Sequence, residues 1–351
     1  MALVGLVIAV AIVGVGLARG GGPDWFLHLG NESPALPLAR RVLGDDVAVP
    51  LADRHDGETF WVLARDPALR HGTETGRNFD HPTYRAQRIL YPWLAAPWRV
   101  GGEQALLWGL IVTNVVAVAL GTYALTRLAL ESGSSWKAGL AFALNPLVVV
   151  ALLFDLSDIV ALAALVAAVL LVQRRQFGGA VVAGCVAVMT KETSIFGLLA
   201  VATLARGVPA RRRVALVAVP VALAAGWAVY VRWRLGSSAS GLENFVVVPF
   251  SGFVDAYRDG WKPTADWGNA ALGVVLIPLA VLIVERWRRS RTIVMAAALP
   301  YALLVPFLSA LVVDLPQNTV RAIGPALSFL VVDLYRESTP GLASRSGDRS
   351  G

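Results

Sequence analysis

The sequence predicts an all-α, polytopic membrane protein of about ten passes, two of them short, with a long first extracytoplasmic segment. Three observations carry this. Of the 351 residues, 56% are hydrophobic and 16% charged, whereas a soluble domain carries about 25% charged residues. The mean hydropathy is +0.62. The apolar residues also come in runs close to the roughly 20 that a helix needs to cross about 30 Å of hydrocarbon, separated by short Lys/Arg clusters. The net charge of +7 is divided among those clusters and builds no single basic face, which argues against nucleic acid as a partner. Cys185 is the one cysteine, so neither an intramolecular disulfide nor a cysteine-based metal site is available.

The first run lacks a charged n-region and a cleavage site, and reads as a retained membrane helix within residues 1–19. A helical bundle over 104–336 follows, with full-length candidates at 105–126, 138–154, 159–172, 214–231, 269–284, 292–313 and 319–335. Two shorter runs, 178–190 and 193–205, flank Lys191 and Glu192. They read as two short spans or a re-entrant pair, as expected where water and substrate enter a membrane protein. Basic clusters at Arg127 with Lys137, Arg174 with Arg175, Arg206 with Arg211 to Arg213, and Arg286 to Arg291 belong in the cytoplasm by the positive-inside rule. Both termini are then inside, and segments 20–103 and 232–268 are outside. Cytoplasmic segments hold 15 Lys/Arg against 5 Asp/Glu, and outside segments 16 against 19. The small, polar residues 337–351 read as a disordered tail.

Segment 20–103 contains all four histidines and 11 of the 24 acidic residues. A helix is predicted over 57–65, stopped by Pro67, and a second over 82–91. Both are too short to span, so they are expected at the membrane surface with Phe60, Trp61, Ile89, Tyr91, Trp93 and Trp98 in the interfacial layer.

Charged residues that interrupt or abut apolar runs gather on the outside face: Asp53 and Asp56, Arg85 and Arg88, Asp155 and Asp158, Lys191 and Glu192, and Arg321 with Asn318. Charge near membrane depth is costly and marks a pathway or a site. Asp56, just before Gly57 at a helix start, reads either as an ionised general base or as a plain helix N-cap. His55 has no spaced histidine partner, and a lone surface histidine is the better reading. Lys191 and Glu192 read as site residues or as a self-neutralising pair. Arg321 reads as a site residue or as a side chain snorkelling to the interface. Asp155 and Asp158 read as site residues or as caps of the helix from Ile159, and Arg85 and Arg88 as site residues or as contacts to lipid head groups.

Taken together, the span 2–18, the long loop with HDGETFWVLARDP at 55–67, and the many following spans resemble the integral-membrane glycosyltransferases of the GT-C architecture. YRAQRILYP (84–92), NPLVV (145–149), DLSD (155–158), TKETS (190–194) and QNTVRAIGP (317–325) also resemble segments of uncharacterised bacterial members. The resemblance implies an inverting transfer of a sugar from a polyprenyl-phosphate donor to a glycan, lipid or protein acceptor, on the outer face of a bacterial plasma membrane. It implies Asp56 as base, with Asp53 as a supporting carboxylate and possible ligand of a divalent cation, Mg or Mn. Arg88, Lys191 and Arg321 would hold the lipid phosphate, with Arg85, Gln87, Asp155, Asp158, Glu192 and Asn318 as further substrate contacts. Lys191 and Arg321 lack an obvious acidic partner in the chain, as a phosphate site requires. The competing class is an ion- or proton-coupled transporter working through Asp155, Asp158, Lys191 and Glu192. Short broken helices favour it, while the absence of an internal repeat and the one-sided polar residues oppose it.

Overall fold

Helix ends follow capping and proline chemistry along the chain. The computed structural model describes residues 1–50, 55–204, 208–236 and 244–337; Asp53 and the tail 338–351 lie outside the described residues. The described residues form helices and no sheet, with an isolated bridge joining Phe245 to Leu308. Helix α1 (Ala2–Gly20) stops at Gly21, whose φ of 77° closes the last turn in the left-handed region. Five short helices follow: α2 (Leu36–Leu43), α3 (Asp56–Arg65), α4 (Thr73–Gly76), α5 (Pro82–Arg85) and α6 (Leu90–Ala95). Then come α7 (Glu103–Glu131), α8 (Leu140–Ala143) and α9 (Pro146–Leu153). The Asn145 side chain starts α9 by accepting from the Leu147 N–H at 2.9 Å, with Pro146 in the first turn. The same amide donates to Gly324 O at 2.7 Å and so ties that start to a distant helix. The remaining helices are α10 (Asp158–Gln173), α11 (Phe177–Thr190), α12 (Ser194–Leu204), α13 (Ala210–Leu235), α14 (Ser251–Asp255), α15 (Lys262–Thr264), α16 (Trp267–Ser290), α17 (Ile293–Leu304), α18 (Ala310–Val313) and α19 (Pro316–Glu337).

Among the described residues, five stretches are long and apolar enough to cross a membrane: α1, α7, the run 136–153 through α8 and α9, α13 and α16. The apolar window is 61% buried in α7 but 22%, 17% and 22% in α1, α13 and α16. The outer helices therefore turn residues such as Val7, Val10, Val219, Leu223, Val229 and Val281 outward, an area of apolar surface that hydrocarbon covers and water does not. This is a membrane protein. At its centre α7 packs against α1 and α10, α10 against α11, and α17 against α12, α16 and α19.

Three expectations are corrected. Helix α3 is not a surface helix: every residue from Asp56 to Ala64 is buried, because its FWVLA run has no polar face to offer water. Phe60, Trp61, Ile89 and Tyr91 lie in the core, and of the six expected interfacial residues only Trp93 and Trp98 are exposed. The predicted helix over 82–91 ends at Arg85. The chain then turns tightly, with Gln87 N donating to Tyr84 O and Arg88 N to Arg85 O, before α6 starts at Leu90. The expected span 292–313 is also broken. Pro300 lies within α17, and Pro306 sits in a 3₁₀ turn over Val305–Phe307 that separates α17 from α18. Helix α19 spans 22 residues but carries Arg321 and Asp333, and it falls outside the five apolar stretches.

The starts of α10, α12 and α19 meet the ends of α11 and α17 at one end of the bundle. The basic clusters sit at the other end, where Arg174 pairs with Glu131 at 2.5 Å and Arg286 with Asp333 at 2.9 Å. Single cysteines at Arg212 and Glu74, placed in a Cys185→Ser background, should therefore react with a membrane-impermeant thiol reagent from opposite faces. Labelling of both from one face contradicts this arrangement.

Candidate functional site

The site is built from the first turn of α3. Gly57 lets that turn press against the main chain of two other segments: an added Cβ would lie 2.7 Å from Phe154 O and 2.9 Å from Phe26 O. His28 braces the same place, stacked on Phe154 at 4.1 Å between ring centroids and hydrogen-bonded through Nε2 to Leu153 O at 3.0 Å. Burial, reinforced by His55, pushes its pKa down to about 4, so it is a neutral imidazole that donates from Nε2. His55 holds the N-cap position without a side-chain cap bond. The Asp56 carboxylate is thereby released from capping and turned into a cavity.

Three arginines receive it. Arg85 Nη1 bonds Oδ1 of Asp56, Arg321 Nη2 bonds Oδ2 at 2.9 Å, and Arg88 Nη1 stands 3.6 Å from Oδ2. Burial raises the carboxyl pKa, but Arg85, Arg321 and Arg88 outweigh it and hold Asp56 well below the usual carboxylate range. The pairing continues outward. Arg85 grips Asp80 with two bonds of 3.0 Å, and Arg88 grips Glu192 with bonds of 3.0 and 2.8 Å. Tyr84 stacks under the Arg88 guanidinium, 4.8 Å from its ring centroid, and its hydroxyl accepts from Arg88. Inward, Arg321 reaches Asp158 at 3.1 Å, and Lys191 donates to the same carboxylate. The Asp158 side chain is 1% exposed. Arg85, Arg88, Lys191 and Arg321 thus balance Asp56, Asp80, Asp158 and Glu192, the condition under which buried charge is tolerable.

The network forms one wall of a cavity of about 770 Å³, with His55 beside Asp56. The apolar part of the lining includes Leu304, Leu308, Leu311, Val312 and Leu315. Phe245 closes one side, held by main-chain bonds from Val246 N to Phe307 O at 2.8 Å and from Ser309 N to Asn244 O at 3.0 Å.

Among the sequence candidates, Asp56, Arg85, Arg88, Lys191, Glu192, Asn318 and Arg321 line this cavity, with Asp158 behind Lys191 and Arg321. Gln87 sits in the turn after α5 and does not line it. Nor does Asp155, whose left-handed backbone (φ 49°) turns it away from the start of α10. Its carboxyl is buried against Tyr91 Oη at 2.5 Å and Asn114 Nδ2 at 3.2 Å, both neutral groups. Two further readings are corrected. Lys191 and Arg321 are not without acidic partners, since each contacts Asp158, and Lys191 is not neutralised by Glu192, which belongs to Arg88. Asp80 and Tyr84 were missed. Asp80 stands five residues before Arg85 in an irregular turn, where no periodic pattern marks a contact, but Tyr84 opens the 84–92 segment that had drawn attention.

A divalent cation does not fit what is described. No group of three or more His, Cys, Asp or Glu gathers among the described residues, and the three arginines around Asp56 repel a cation. No step is derived through one. Comparison of the chain with family models, curated proteins and solved structures finds no match.

Gly57→Ala tests the seating of Asp56. Neither carbonyl can yield without moving its segment, so the variant should lose about 1–3 kcal/mol of stability, the usual cost of overpacking, and should weaken the binding of any ligand held by Asp56 and Arg321. Wild-type melting and binding would show that the close approach does not position the site.

Proposed function

We propose that the chain is a GT-C-type glycosyltransferase that moves a sugar from a polyprenyl-phosphate donor to a glycan, lipid or protein acceptor on the extracytoplasmic face of a plasma membrane. The observation that carries this reading is the mixed lining of the cavity: Asp56, Asp80 and Glu192 with four cations, together with the apolar side chains Leu304, Leu308, Leu311, Val312 and Leu315. A donor with a charged phosphate and an isoprenoid chain has the same division. The lining charges gather at one end of the bundle, which favours one-sided chemistry over alternating access. The basic clusters at the other end support an outward orientation of that face by the positive-inside rule.

In this reading the acceptor hydroxyl attacks the anomeric carbon and the bond from that carbon to the phosphate oxygen breaks. The lipid phosphate leaves with the electron pair, and the hydroxyl proton passes to Asp56, inverting the anomeric centre. Arg88, Arg321 and Lys191 stabilise the charge that develops on the leaving phosphate. In the ligand-free network Asp56 is ionised but weakly basic, because three arginines share it. A phosphate that draws Arg88 and Arg321 toward itself relieves that field and brings a negative charge near Asp56. Both changes raise its basicity when the donor is in place.

Asp56→Asn separates a base from a structural charge. Removing the carboxylate should lower turnover of a polyprenyl-phosphate sugar by about 100-fold or more, the range of general-base catalysis. Donor affinity should be unchanged or tighter, since the arginines lose a competing anion. Release of polyprenyl phosphate by protein in lipid vesicles measures the first, and equilibrium binding the second. Wild-type turnover in Asp56→Asn removes Asp56 as base, and failure of the wild type to consume any such donor removes the proposed reaction.

A further inference from the structure

Within the reading above, the four carboxylates of the network are not equivalent. Asp56 is shared by three arginines and its side chain is 11% exposed. Asp158 is shared by Lys191 and Arg321 and is 1% exposed. Asp80 holds Arg85 through two bonds and is 19% exposed. Glu192 has Arg88 as its ion-pair partner, and its side chain is 42% exposed. It is the carboxylate with the least to lose by returning to water. It also sits in the three-residue turn between α11 and α12, on a longer and more flexible side chain than any aspartate.

The face of Arg88 that Glu192 occupies is the one an incoming phosphate needs. Two bonds of 3.0 and 2.8 Å to the two carboxylate oxygens are the fork-to-fork arrangement that a guanidinium also offers two phosphate oxygens. Arg88 has holds besides Glu192: the Tyr84 ring under its guanidinium, the Tyr84 hydroxyl that accepts from its Nη2, and Asp56 3.6 Å from its Nη1. Charge points the same way. The described network is neutral, so an anion added without displacing a carboxylate leaves uncompensated negative charge in a poorly solvated place.

We infer that Glu192 is an intramolecular placeholder for the donor phosphate, occupying Arg88 in the empty site and swinging out to water when the donor binds. The ligand class is a phosphate ester of an apolar chain: the donor is the diester of that chain with the sugar, and the monoester it leaves on transfer presents the same phosphate to Arg88. The placeholder acts as a selectivity device: a small soluble anion must displace Glu192 by charge alone, whereas a lipid phosphate adds the contact of its chain with the Leu304 to Leu315 wall. Removing the carboxylate therefore favours small anions as well as lipid ones.

The test is equilibrium binding of farnesyl monophosphate, and separately of inorganic phosphate, to the purified full-length chain in detergent, with melting curves confirming fold. Glu192→Gln should tighten farnesyl monophosphate by about tenfold, as expected for freeing a charge-assisted bidentate site, and should bring inorganic phosphate into a measurable range. Asp80→Asn removes a charge from the same network without freeing Arg88, and should change affinity by less than about threefold, as a field effect at a partly screened distance does. In an Arg88→Gln background the gain from Glu192→Gln should vanish. Should Glu192→Gln melt early, Glu192→Asp, whose shorter reach breaks the bidentate grip while keeping the charge, should tighten binding in the same direction. Wild-type binding with no gain in either Glu192 variant, a gain equal to that of Asp80→Asn, or a gain that survives Arg88→Gln each overturns the placeholder and leaves the phosphate site standing. Absence of farnesyl monophosphate binding in both wild type and Glu192→Gln overturns the phosphate site as well.

Discussion

Three arginines around one buried carboxylate are the constraint on which the rest of the structure depends. Asp56 is buried, where a lone charge is costly, and its compensation comes from two parts of the chain: Arg85 with Arg88, and Arg321 in α19. Each arginine is in turn balanced by another acid, so the network closes only when the 55–88 segment, the α11–α12 elbow and the start of α19 meet. That requirement accounts for features that otherwise look like defects. Helices α11 and α12 are short because Lys191 and Glu192 must stand between them. Helix α19 is too polar for an ordinary span because it carries Arg321. The first turn of α3 is packed on main-chain carbonyls because only glycine at position 57 brings Asp56 far enough in.

The apolar wall has a different origin. Pro306, in the 3₁₀ turn after α17, breaks what would have been one long span, and the following segment runs through α18, so that Leu304, Leu308, Leu311 and Leu315 line the same cavity as the charges. The chain near Phe245 pairs with the freed backbone at 307–309 and satisfies groups that a lipid-facing break would leave without partners. A cavity half charged and half apolar thus results from two independent interruptions of regular helix: one by charge, one by proline.

Much of this was legible in the sequence, and the limits are physical. The membrane class followed from hydropathy. The gathering of Asp56, Arg85, Arg88, Lys191 and Arg321 at one end followed from counting passes, since alternate helix ends share a face. Partner choice was not legible. Arg321 meets Asp56 across 265 positions and Asp158 across 163, and no local spacing encodes such pairings. The burial of α3 was misjudged because a ten-residue helix with one apolar run looks the same whether it lies on a membrane or inside a protein. Asp155 was grouped with Asp158 because both stand in the short polar link between two apolar runs, three residues apart. That spacing shares a face only within a helix, and Asp155 lies before α10 in a left-handed turn.

The most direct test of the central claim is a cryo-electron microscopy structure of the full-length chain with farnesyl monophosphate bound. The account predicts phosphate density within hydrogen-bonding distance of Arg88 and Arg321, Asp56 still beside Arg85, and the isoprenoid chain along Leu304, Leu308 and Leu311. Density for the phosphate outside this cavity, or a chain that avoids the apolar wall while the ion-pair network stays closed, would contradict it.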